Sequence, residues 1–505
     1  MIGVDIGTTS TKAVLFRETG EIIQQANYGY ELFTPNVSIA EQDPEEIFEA
    51  VLDSIAEVMH SSNIDSKDVS FISFSSAMHS VIAVGEDNEP LTACITWADN
   101  RSHAWTEKLQ YGGHGHHIYS KTGTPIHSMS PLSKIIWLEN DYPSIAEKTK
   151  KYIGIKEYVF YKLFQQYIVD YSIASATGLM NLESLTWDQE ALQAAGITED
   201  KLSSLVSTKK IITGCKAAEA KRMGISSETK FVIGASDGVL SNIGVGAINE
   251  GDVAVTIGTS GAIRTMTSQP KTDEKGRVFC YALTEDHWIL GGPVNNGGIV
   301  LRWLRDELAA NEVEAAKRLG KNPYDMLTDI AEQVEAGSNG LLFLPYLAGE
   351  RAPFWNPNMR GSFIGLTLNH KKEHMIRAVL EGVMFNLYSV LIALIEVMDT
   401  PVSSIKATGG FSQSPLWRQM MSDIFEAEVT IPKSYESSCL GACLLGLYAE
   451  GKIANFEVVH DMVGTTYQHT PEADQVRTYR ELISIFINSS RALETEYDKL
   501  SKFQK

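Results

Sequence analysis

The sequence predicts an α/β fold built as two similar domains, and three observations support this prediction. Short β-branched runs alternate with helical segments, a pattern typical of sheets covered by helices. The chain has 505 residues, and one hydrophobic core seldom grows past about 250–300 residues. A six-residue pattern occurs twice, since Val4 to Thr9 and Val255 to Ser260 both contain Ile-Gly-Thr followed by a second hydroxyl residue. We therefore expect one domain over residues 1–245 and a second over residues 246–505.

The first elements are predicted to be a strand, a tight turn and a returning strand. Ile2–Ile6 and Ser10–Phe16 are rich in β-formers, and a Gly-Thr-Thr turn separates them. A helix should follow Asp43, because Asp caps a helix, Pro44 suits its first position and the two glutamates after it favour its first turn. Apolar residues then recur on one helical stripe as far as Met59.

Further strands are predicted at residues 69–75, 80–84 and 231–235, where β-branched and apolar residues cluster. The longest apolar region, residues 383–398, is interrupted by Asn, Ser and Glu. It is therefore predicted to be a buried helix and not a membrane span. The boundary between the domains is expected near residues 244–251, where glycine and other small residues cluster.

The composition narrows the classes of partner. The formal net charge is −20, which argues against nucleic acid or an anionic membrane as the main partner. The five cysteines are few and scattered, so a reducing compartment fits better than a disulfide framework, and Cys439 and Cys443 are expected in the core. The N-terminus shows no basic segment leading into an apolar stretch. We expect a cytoplasmic protein, and a homodimer is left open.

The first hairpin has the chemistry of a polyphosphate cradle. The glycine of its turn lets the backbone approach a ligand closely, with N–H groups pointing outward. Thr8, Thr9 and Ser10 add hydroxyl donors, and Lys12 adds a cation. Asp5 stands at the strand end, where a carboxylate can hold a hydrated Mg²⁺. The alternative is a plain surface turn, which the second copy of the pattern makes less favourable.

Two later segments also carry candidate chemistry. Asp237 follows a buried strand in a small-residue turn, where open α/β sheets bind ligands. It could serve as a general base or as the N-cap of the helix that follows. The Gly409-Gly410 turn that leads to Ser414 could let an adenosine lie against the backbone, or could be a simple turn. The chain has neither a P-loop nor a dinucleotide-binding glycine motif.

Five segments occur in the order typical of one enzyme family. They are the hairpin from Asp5 to Ser10, the segment from Met129 to Leu138, the repeat from Gly258 to Gly261, the segment from Gly361 to Gly382 and the turn from Thr408 to Ser414. With them, the chain resembles the FGGY carbohydrate kinase family over nearly its whole length. The resemblance implies two actin-like ATPase domains, of the ribonuclease H-like kind, with a cleft between them.

The family resemblance also implies roles for individual residues. It implies ATP and Mg²⁺ as cofactors, with Asp237 as the catalytic base and Asp5 as the carboxylate associated with Mg²⁺. The positions that match phosphate-contacting or nucleotide-contacting residues of the family are Thr8, Thr9, Ser10, Lys12, Thr259, Gly298, Gly410 and Ser414.

The sugar is indicated by the same resemblance. Met78 and His79 resemble a Met-His pair that lines the sugar site in the xylulokinase-like branch. The resemblance implies that Asp237 also faces the substrate. Ala98 replaces the Asn of that branch's Trp-Asn-Asp-x-Arg segment, which speaks against a pentulose. The first hairpin and the segment from Tyr30 onward look most like the gluconate kinase branch. This implies ATP-dependent phosphorylation of D-gluconate to 6-phosphogluconate.

A sugar acid on so acidic a protein needs a local cation or aimed backbone donors. Arg101, Lys134, Arg302 and Arg351 are the candidates, and the sequence does not choose among them. A xylulokinase or another pentulose or polyol kinase is the alternative enzyme. An actin-like or chaperone-like ATPase that works without sugar and a non-catalytic sugar sensor are the alternatives from other classes.

Overall fold

The computed structural model describes residues 1–433 and 436–504, which form two compact units. Unit 1 consists of residues 1–248, 266–290 and 436–464, and unit 2 consists of residues 249–265, 291–435 and 465–505. The division predicted at residue 245 lies close to the end of the first segment of unit 1. The two later segments of unit 1 have no counterpart in that prediction.

The main sheet of unit 1 has six strands. In spatial order they are Ile211–Ile212, Phe231–Ser236, Ile72–Ser76, Ile2–Ile6, Ser10–Phe16 and Ile22–Gly29. Ile2–Ile6, Ile72–Ser76 and Phe231–Ser236 are parallel to one another, whereas Ser10–Phe16 returns antiparallel to Ile2–Ile6. The carboxyl ends of the three parallel strands therefore meet at one edge of the sheet, the place where α/β sheets bind ligands.

Helices cover both faces of this sheet. Pro44–Ser62 begins at Asp43, whose side chain accepts a hydrogen bond from the backbone N–H of Glu45, as the sequence predicts. The other helices of unit 1 are His103–Tyr111, Gly115–Thr122, Pro131–Asp141, Pro143–Ala146, Ile155–Phe164, Tyr171–Ser175, Gln189–Ala195, Ala217–Met223, Asp237–Gly244, Ser437–Ala449 and Val459–Val463. Its short strands are Glu41–Gln42, Ile82–Val84, Cys94–Ile95, Lys151–Ile153, Ile168–Asp170, Met180–Asn181, Thr186–Trp187, Ser204–Val206 and Phe279–Ala282.

The sheet of unit 2 repeats the arrangement of the first hairpin. Asp252–Ile257 pairs antiparallel with Gly261–Thr267 and parallel with Ser404–Thr408. Val429–Pro432 and Thr465–His469 extend the sheet beyond Ser404–Thr408. The predicted repeat is thus confirmed as a repeated strand arrangement, and the first strand of each copy lies in a different unit, as expected.

Two further strands belong to this sheet, since Trp288–Val294 pairs with Gly261–Thr267 and Phe279–Ala282 pairs with Trp288–Val294. Leu342–Leu344 and Ser362–Ile364 form a separate ribbon. The helices of unit 2 are Gly298–Trp303, Ala310–Arg318, Pro323–Glu332, Lys372–Met398, Pro415–Phe425 and Ala473–Ser501, and Gly410–Gln413 is a 3₁₀ turn.

Among the described residues, one helix, Lys372–Met398, is long and apolar enough to cross a membrane by length and composition. Of its most apolar 18-residue stretch, 83% is buried inside the protein. Arg377 and Glu381 near its start are buried too, and they form an ion pair whose N···O distance is 2.9 Å. These features are those of a core helix, as the sequence predicts for this region.

The predicted strands and cysteines agree with the structure except at strand ends. Ile72–Ser76, Ile82–Val84 and Phe231–Ser236 stand where strands were predicted, with ends shifted by at most three residues. All five cysteines are buried and free. Within residues 1–433 and 436–504, no group of three or more His, Cys, Asp or Glu side chains is arranged to hold a metal ion.

Candidate active site

The turn between Ile2–Ile6 and Ser10–Phe16 points its carbonyl groups into unit 1. The Gly7 carbonyl accepts from the Tyr30 hydroxyl at 2.6 Å, the Thr8 carbonyl from Gln42 Nε2 at 2.7 Å and the Thr9 carbonyl from the Tyr30 amide at 3.1 Å. The N–H groups of Thr8 and Thr9 have no hydrogen-bond partner among the described residues. Two adjacent N–H donors of this kind form an anion-binding concavity.

Hydroxyl groups flank these donors. Thr8 Oγ1 accepts a hydrogen bond from Trp97 Nε1 at 3.0 Å, so its own proton remains available for donation. Thr9 is exposed, and Ser10 closes the turn by accepting from the Gly7 amide at 3.0 Å. The three predicted phosphate-binding hydroxyls are therefore gathered at one turn.

Asp5 and Lys12 lie opposite each other in the same hairpin. Asp5 Oδ1 accepts from Ser75 Oγ at 2.6 Å, because Ser75 is its partner on the parallel neighbouring strand. Burial, followed by the negative charge of Asp237, raises the pKa of Asp5 from 3.8 to about 6. Asp5 and Asp237 are thus close enough to repel each other.

Lys12 is bound by a residue that the sequence analysis missed. Its Nζ donates to both carboxylate oxygens of Glu436, at 3.0 and 2.9 Å. Glu436 immediately precedes the helix Ser437–Ala449 of unit 1. It lies 424 residues from Lys12 in the sequence, and no local signal could have paired the two. The predicted phosphate-binding cation is therefore already paired with a carboxylate.

Asp237 is the first residue of the helix Asp237–Gly244, and its Oδ1 accepts from the Gly238 amide at 2.6 Å. Ser236, not Asp237, occupies the N-cap position, so the alternative prediction of an N-cap at Asp237 is wrong. The strand before it bulges at Gly234, which adopts φ +73°, and a Cβ there would lie 1.7 Å from the Phe74 carbonyl oxygen. Bulges of this kind re-aim a side chain at a strand end, and this bulge lies in the strand that ends directly before Asp237.

The predicted sugar-site pair lies in the same unit. His79 is buried and adopts φ +70°, which is uncommon for a residue with a side chain. Its Nδ1 lies 2.8 Å from the Ala176 carbonyl oxygen, so Nδ1 carries a proton, and in the neutral imidazole Nε2 is then an acceptor. The Tyr281 hydroxyl lies 3.5 Å from Nε2. Met78 is half-buried and packs against one of the apolar clusters of unit 1.

The predicted cations for a carboxylate differ in their surroundings. The Arg101 guanidinium donates to Asp99 at 3.0 Å and to Glu41. Lys134 is wholly buried, and its Nζ donates to the carbonyls of His79 and Met129. Burial lowers the pKa of Lys134 to about 7. Lys134 therefore supports the backbone of the predicted sugar site.

The two remaining cations belong to unit 2. Arg302 is exposed on the helix Gly298–Trp303, whereas Arg351 is half-buried and donates to the Val294 carbonyl at 3.2 Å. The distances within each unit do not select one of the four cations as the partner of a carboxylate.

Three segments predicted to bind the nucleotide meet in unit 2. The Gly258 carbonyl accepts from the Gly298 amide at 2.7 Å, and the Thr259 carbonyl accepts from the Ile299 amide at 3.0 Å. The N–H groups of Thr259 and Ser260 have no partner in the part of the chain that the structure describes. Gly298 thus holds the hairpin by donating its N–H to the Gly258 carbonyl. The N–H groups of Thr259 and Ser260 remain available as donors.

The glycine turn of unit 2 follows the strand Ser404–Thr408. Gly409 adopts φ +108°, and a Cβ there would lie 2.1 Å from the Ile257 carbonyl oxygen, so only glycine fits. A Cβ on Gly410 would meet nothing within 4 Å, so its surface is open. Ser414 caps the helix Pro415–Phe425 by accepting from the Trp417 amide at 3.2 Å. The space beside Gly410 is therefore open, whereas the Ser414 side chain is engaged in capping a helix.

Known proteins resemble the chain over its whole length. The model of the N-terminal domain of the FGGY family of carbohydrate kinases matches residues 1–244, and the model of the C-terminal domain matches residues 253–450. The chain is 63% identical over 505 residues to a gluconokinase of Bacillus licheniformis, covering 100% of this chain and 98% of the relative.

Two solved structures have the same fold. They are a gluconate kinase and a ligand-bound xylulose kinase, both from Lactobacillus acidophilus. Each is 40% identical, covers 99% of both chains and superposes with a TM-score of 0.93. The expected fold of two α/β domains is confirmed.

Proposed function

Because the chain belongs to the FGGY family of carbohydrate kinases, we propose that it transfers the terminal phosphoryl group of ATP to D-gluconate, giving 6-phosphogluconate. The observation that carries the choice of substrate is the 63% identity to a gluconokinase across the full chain. Solved structures named for gluconate and for xylulose are both 40% identical to the chain and match equally well, so they do not distinguish the two substrates. Ala98, where the xylulokinase-like branch has Asn, also speaks against a pentulose.

We assign the general base to Asp237. Phosphoryl transfer needs mainly in-line positioning and charge stabilisation, together with a group that accepts the proton of the attacking hydroxyl. Asp237 stands at the edge where the parallel strands of unit 1 end, half-buried and within electrostatic reach of Asp5. His79 Nε2, an acceptor, is suited to bind a hydroxyl of the sugar acid, with Met78 against its carbon chain.

The phosphate contacts are proposed for the two turns. Thr8 and Thr9 offer N–H and hydroxyl donors in unit 1, with Ser10 and Lys12 beside them. In unit 2, Thr259 offers the same donors, and Gly410 offers an open surface to the nucleoside. Backbone N–H donors suit a polyphosphate on a protein of net charge −20, because their partial positive charges attract phosphate oxygens without the need for a charged side chain.

Asp5 fits a Mg²⁺ ion that arrives with the phosphates. Mg²⁺ keeps several waters and takes one or two carboxylates together with phosphate oxygens. Asp5 supplies one such carboxylate, and the repulsion from Asp237 that raises its pKa would be relieved by a cation. When bound, Mg²⁺ supplies neutralisation of the charge on the phosphate oxygens. A cytoplasmic location and a small sugar acid as the partner complete the proposal.

An acceptor panel tests the substrate. The purified protein with ATP and Mg²⁺ should release ADP with D-gluconate and give 6-phosphogluconate, with kcat/KM at least about 100-fold above that for D-xylulose or glycerol. A higher kcat/KM for D-xylulose would replace gluconate as the substrate. ADP release that is equal with and without any acceptor would indicate a sugar-independent ATPase.

A substitution tests the base. Asp237→Asn should lower kcat by at least about 10² while leaving ADP affinity unchanged, because only the proton acceptor is lost. Asp188→Asn is the matched control, since Asp188 also stands at a helix start in unit 1 and accepts from backbone amides. It should keep wild-type turnover. Near-wild-type kcat in Asp237→Asn would remove Asp237 from this role.

A further inference from the structure

A buried ion pair lies behind the strand that leads to Asp237. Lys156 Nζ is 2.6 Å from Asp170 Oδ2, and their side chains are 3% and 0% exposed. The same Nζ donates at 3.2 Å to the carbonyls of Ile233 and Ala235. Buried ion pairs add little net stability relative to apolar packing, so this pair needs another explanation.

The bulge in that strand explains why a cation is placed there. The pairing of Phe231–Ser236 with Ile72–Ser76 shifts register between Val232 and Ala235, around Gly234. A bulge leaves ladder groups unpaired, and a buried carbonyl without a donor is costly. Lys156 supplies donors to the two carbonyls on either side of Gly234, and so it fixes the shape of the bulge.

A second contact holds the residue immediately before Asp237. Ser172 Oγ accepts from the Ser236 amide at 3.1 Å, and the two hydroxyl oxygens are also 3.1 Å apart. Ser172 belongs to the short helix Tyr171–Ser175, which Asp170 caps through Oδ1 and the Ile173 amide at 3.0 Å. The carboxylate that pairs with Lys156 thus also begins the helix that holds Ser236.

The other end of this helix reaches the predicted sugar site. The Ala176 carbonyl, next after the helix, accepts from His79 Nδ1 at 2.8 Å. Ser175 Oγ accepts from the Ala282 amide at 2.9 Å, adjacent to Tyr281, whose ring lies edge-on to His79 at 5.8 Å. The five-residue helix Tyr171–Ser175 therefore contacts Ser236, which directly precedes the proposed base. The residue that follows this helix, Ala176, contacts His79, the residue proposed to bind the sugar.

We propose that Lys156, with Asp170 and Ser172, is a positioning residue that sets Asp237 relative to His79. The inference rests on the proposed function, because it takes Asp237 as the base. Among the described residues, Asp237 interacts electrostatically with both Asp5 and Lys156. Lys12 and Glu436 also act on Asp5, and Asp170 and Glu157 also act on Lys156. In this role Lys156 contacts neither substrate. It acts through the strand Phe231–Ser236 and, by way of Asp170, through the helix Tyr171–Ser175.

The test is a double-mutant cycle measured on the full chain. Lys156→Met should lower kcat with gluconate by about 10-fold to 100-fold, the cost of a misplaced catalytic group, while the KM values for gluconate and ATP stay within about threefold. In the Asp237→Asn background the same change should lower kcat by no more than about twofold, because a group that acts through the base has nothing left to position. Thermal unfolding and binding of ADP identify folded variants.

Lys201→Met is the matched control. Lys201 also pairs with a carboxylate, Glu139 at 3.0 Å, and also donates to a backbone carbonyl, that of Ala146 at 3.2 Å. It should keep wild-type kcat in both backgrounds. Ser172→Ala gives a second variant should Lys156→Met fail to fold. We expect it to lower kcat by about threefold to tenfold, again only when Asp237 is present.

The outcomes separate the two proposals. A folded Lys156→Met with kcat within twofold of wild type, or an equal loss in both backgrounds, overturns the positioning role. The same result with Ser172→Ala does so if Lys156→Met is unfolded. Full activity of Asp237→Asn overturns the base assignment instead, whatever the Lys156 variants show.

Discussion

The two hairpins that begin the two sheets have the same strand pairing and differ in the positions of their charged residues. In each, the turn directs its carbonyls into its own unit and leaves two adjacent N–H groups, those of Thr8 and Thr9 or of Thr259 and Ser260, without a partner in the described residues. The first hairpin carries Asp5, which accepts from Ser75. The second carries Thr256 at the matching place, 3.2 Å from Thr408 between hydroxyl oxygens. The comparison teaches that a turn with two unpartnered N–H donors is repeated, whereas the uncharged Thr256 and Ile263 of the second copy stand at the positions of Asp5 and Lys12.

The largest expected effect tests this difference directly. Asp5→Asn should lower kcat by at least about 100-fold, because the carboxylate that we propose for Mg²⁺ is lost and the charge on the phosphates is then less well neutralised. Thr256→Val, the matching change in the second hairpin, should lower kcat by less than about tenfold, since no charge is removed. Steady-state kinetics with saturating ATP and gluconate measures both. Equal losses would show that the charge of the first hairpin has no special part.

The strand ends beside the two hairpins give the next comparison. Ser76 pairs with Ile6 in unit 1, whereas Gly409 leaves the strand beside Ile257 with φ +108°. Gly409→Ala should therefore destabilise the protein by at least about 2 kcal/mol, measured by urea unfolding. Gly410→Ala is the control with open space around it. It should leave stability within about 0.5 kcal/mol and raise the KM for ATP. Stability losses of equal size would contradict the difference between the two glycines.

A pH dependence follows from the charge of the first hairpin. The pKa of Asp5 is raised from 3.8 to about 6, so the folded chain holds this proton more tightly than the unfolded chain. The free energy of unfolding therefore falls as the pH rises from about 4 to about 6, and the loss persists above that range. Asp5→Asn should be more stable than wild type above pH 6 by about 1–2 kcal/mol and equal to it near pH 4.

Urea unfolding across this pH range, without nucleotide or Mg²⁺, measures the effect. Glu86→Gln is the control, because Glu86 is an exposed carboxylate of the same unit. It should show no gain that appears only at higher pH. A stability difference between Asp5→Asn and wild type that does not change with pH would contradict the prediction.

The smallest expected effect concerns Lys12. Glu436 competes with phosphate for its Nζ, so Glu436→Gln should tighten ADP binding by about threefold to tenfold, measured by calorimetry. Glu450→Gln removes a carboxylate at the other end of the same helix, one that pairs with Lys230 at 2.6 Å. It should leave ADP affinity unchanged. Weaker ADP binding by Glu436→Gln would show that Glu436 orients Lys12 instead of competing for it.

How far the sequence predicts the structure depends on the range of the interactions. Ile2–Ile6 and Ser10–Phe16 have the predicted bounds, because alternation and a glycine turn are local signals. The Lys12–Glu436 pair and the Lys156–Asp170 pair were not predicted, since tertiary packing alone brings these residues together. The strand repeat was readable, but the assignment of residues 436–464 to unit 1 was not. The catalytic and binding roles of the site residues remain predictions.

The helix Ser437–Ala449 has a consequence for how the chain acquires its structure on the ribosome. It lies so close to the first strand that a Cβ on Gly3 would stand 2.3 Å from the Cys439 carbonyl oxygen, and Gly446 is equally tight against Phe71. Unit 1 thus stays uncovered on this face until more than 430 residues have been synthesised. A fragment that ends at residue 245 would expose an apolar surface in place of that helix, and such surfaces aggregate.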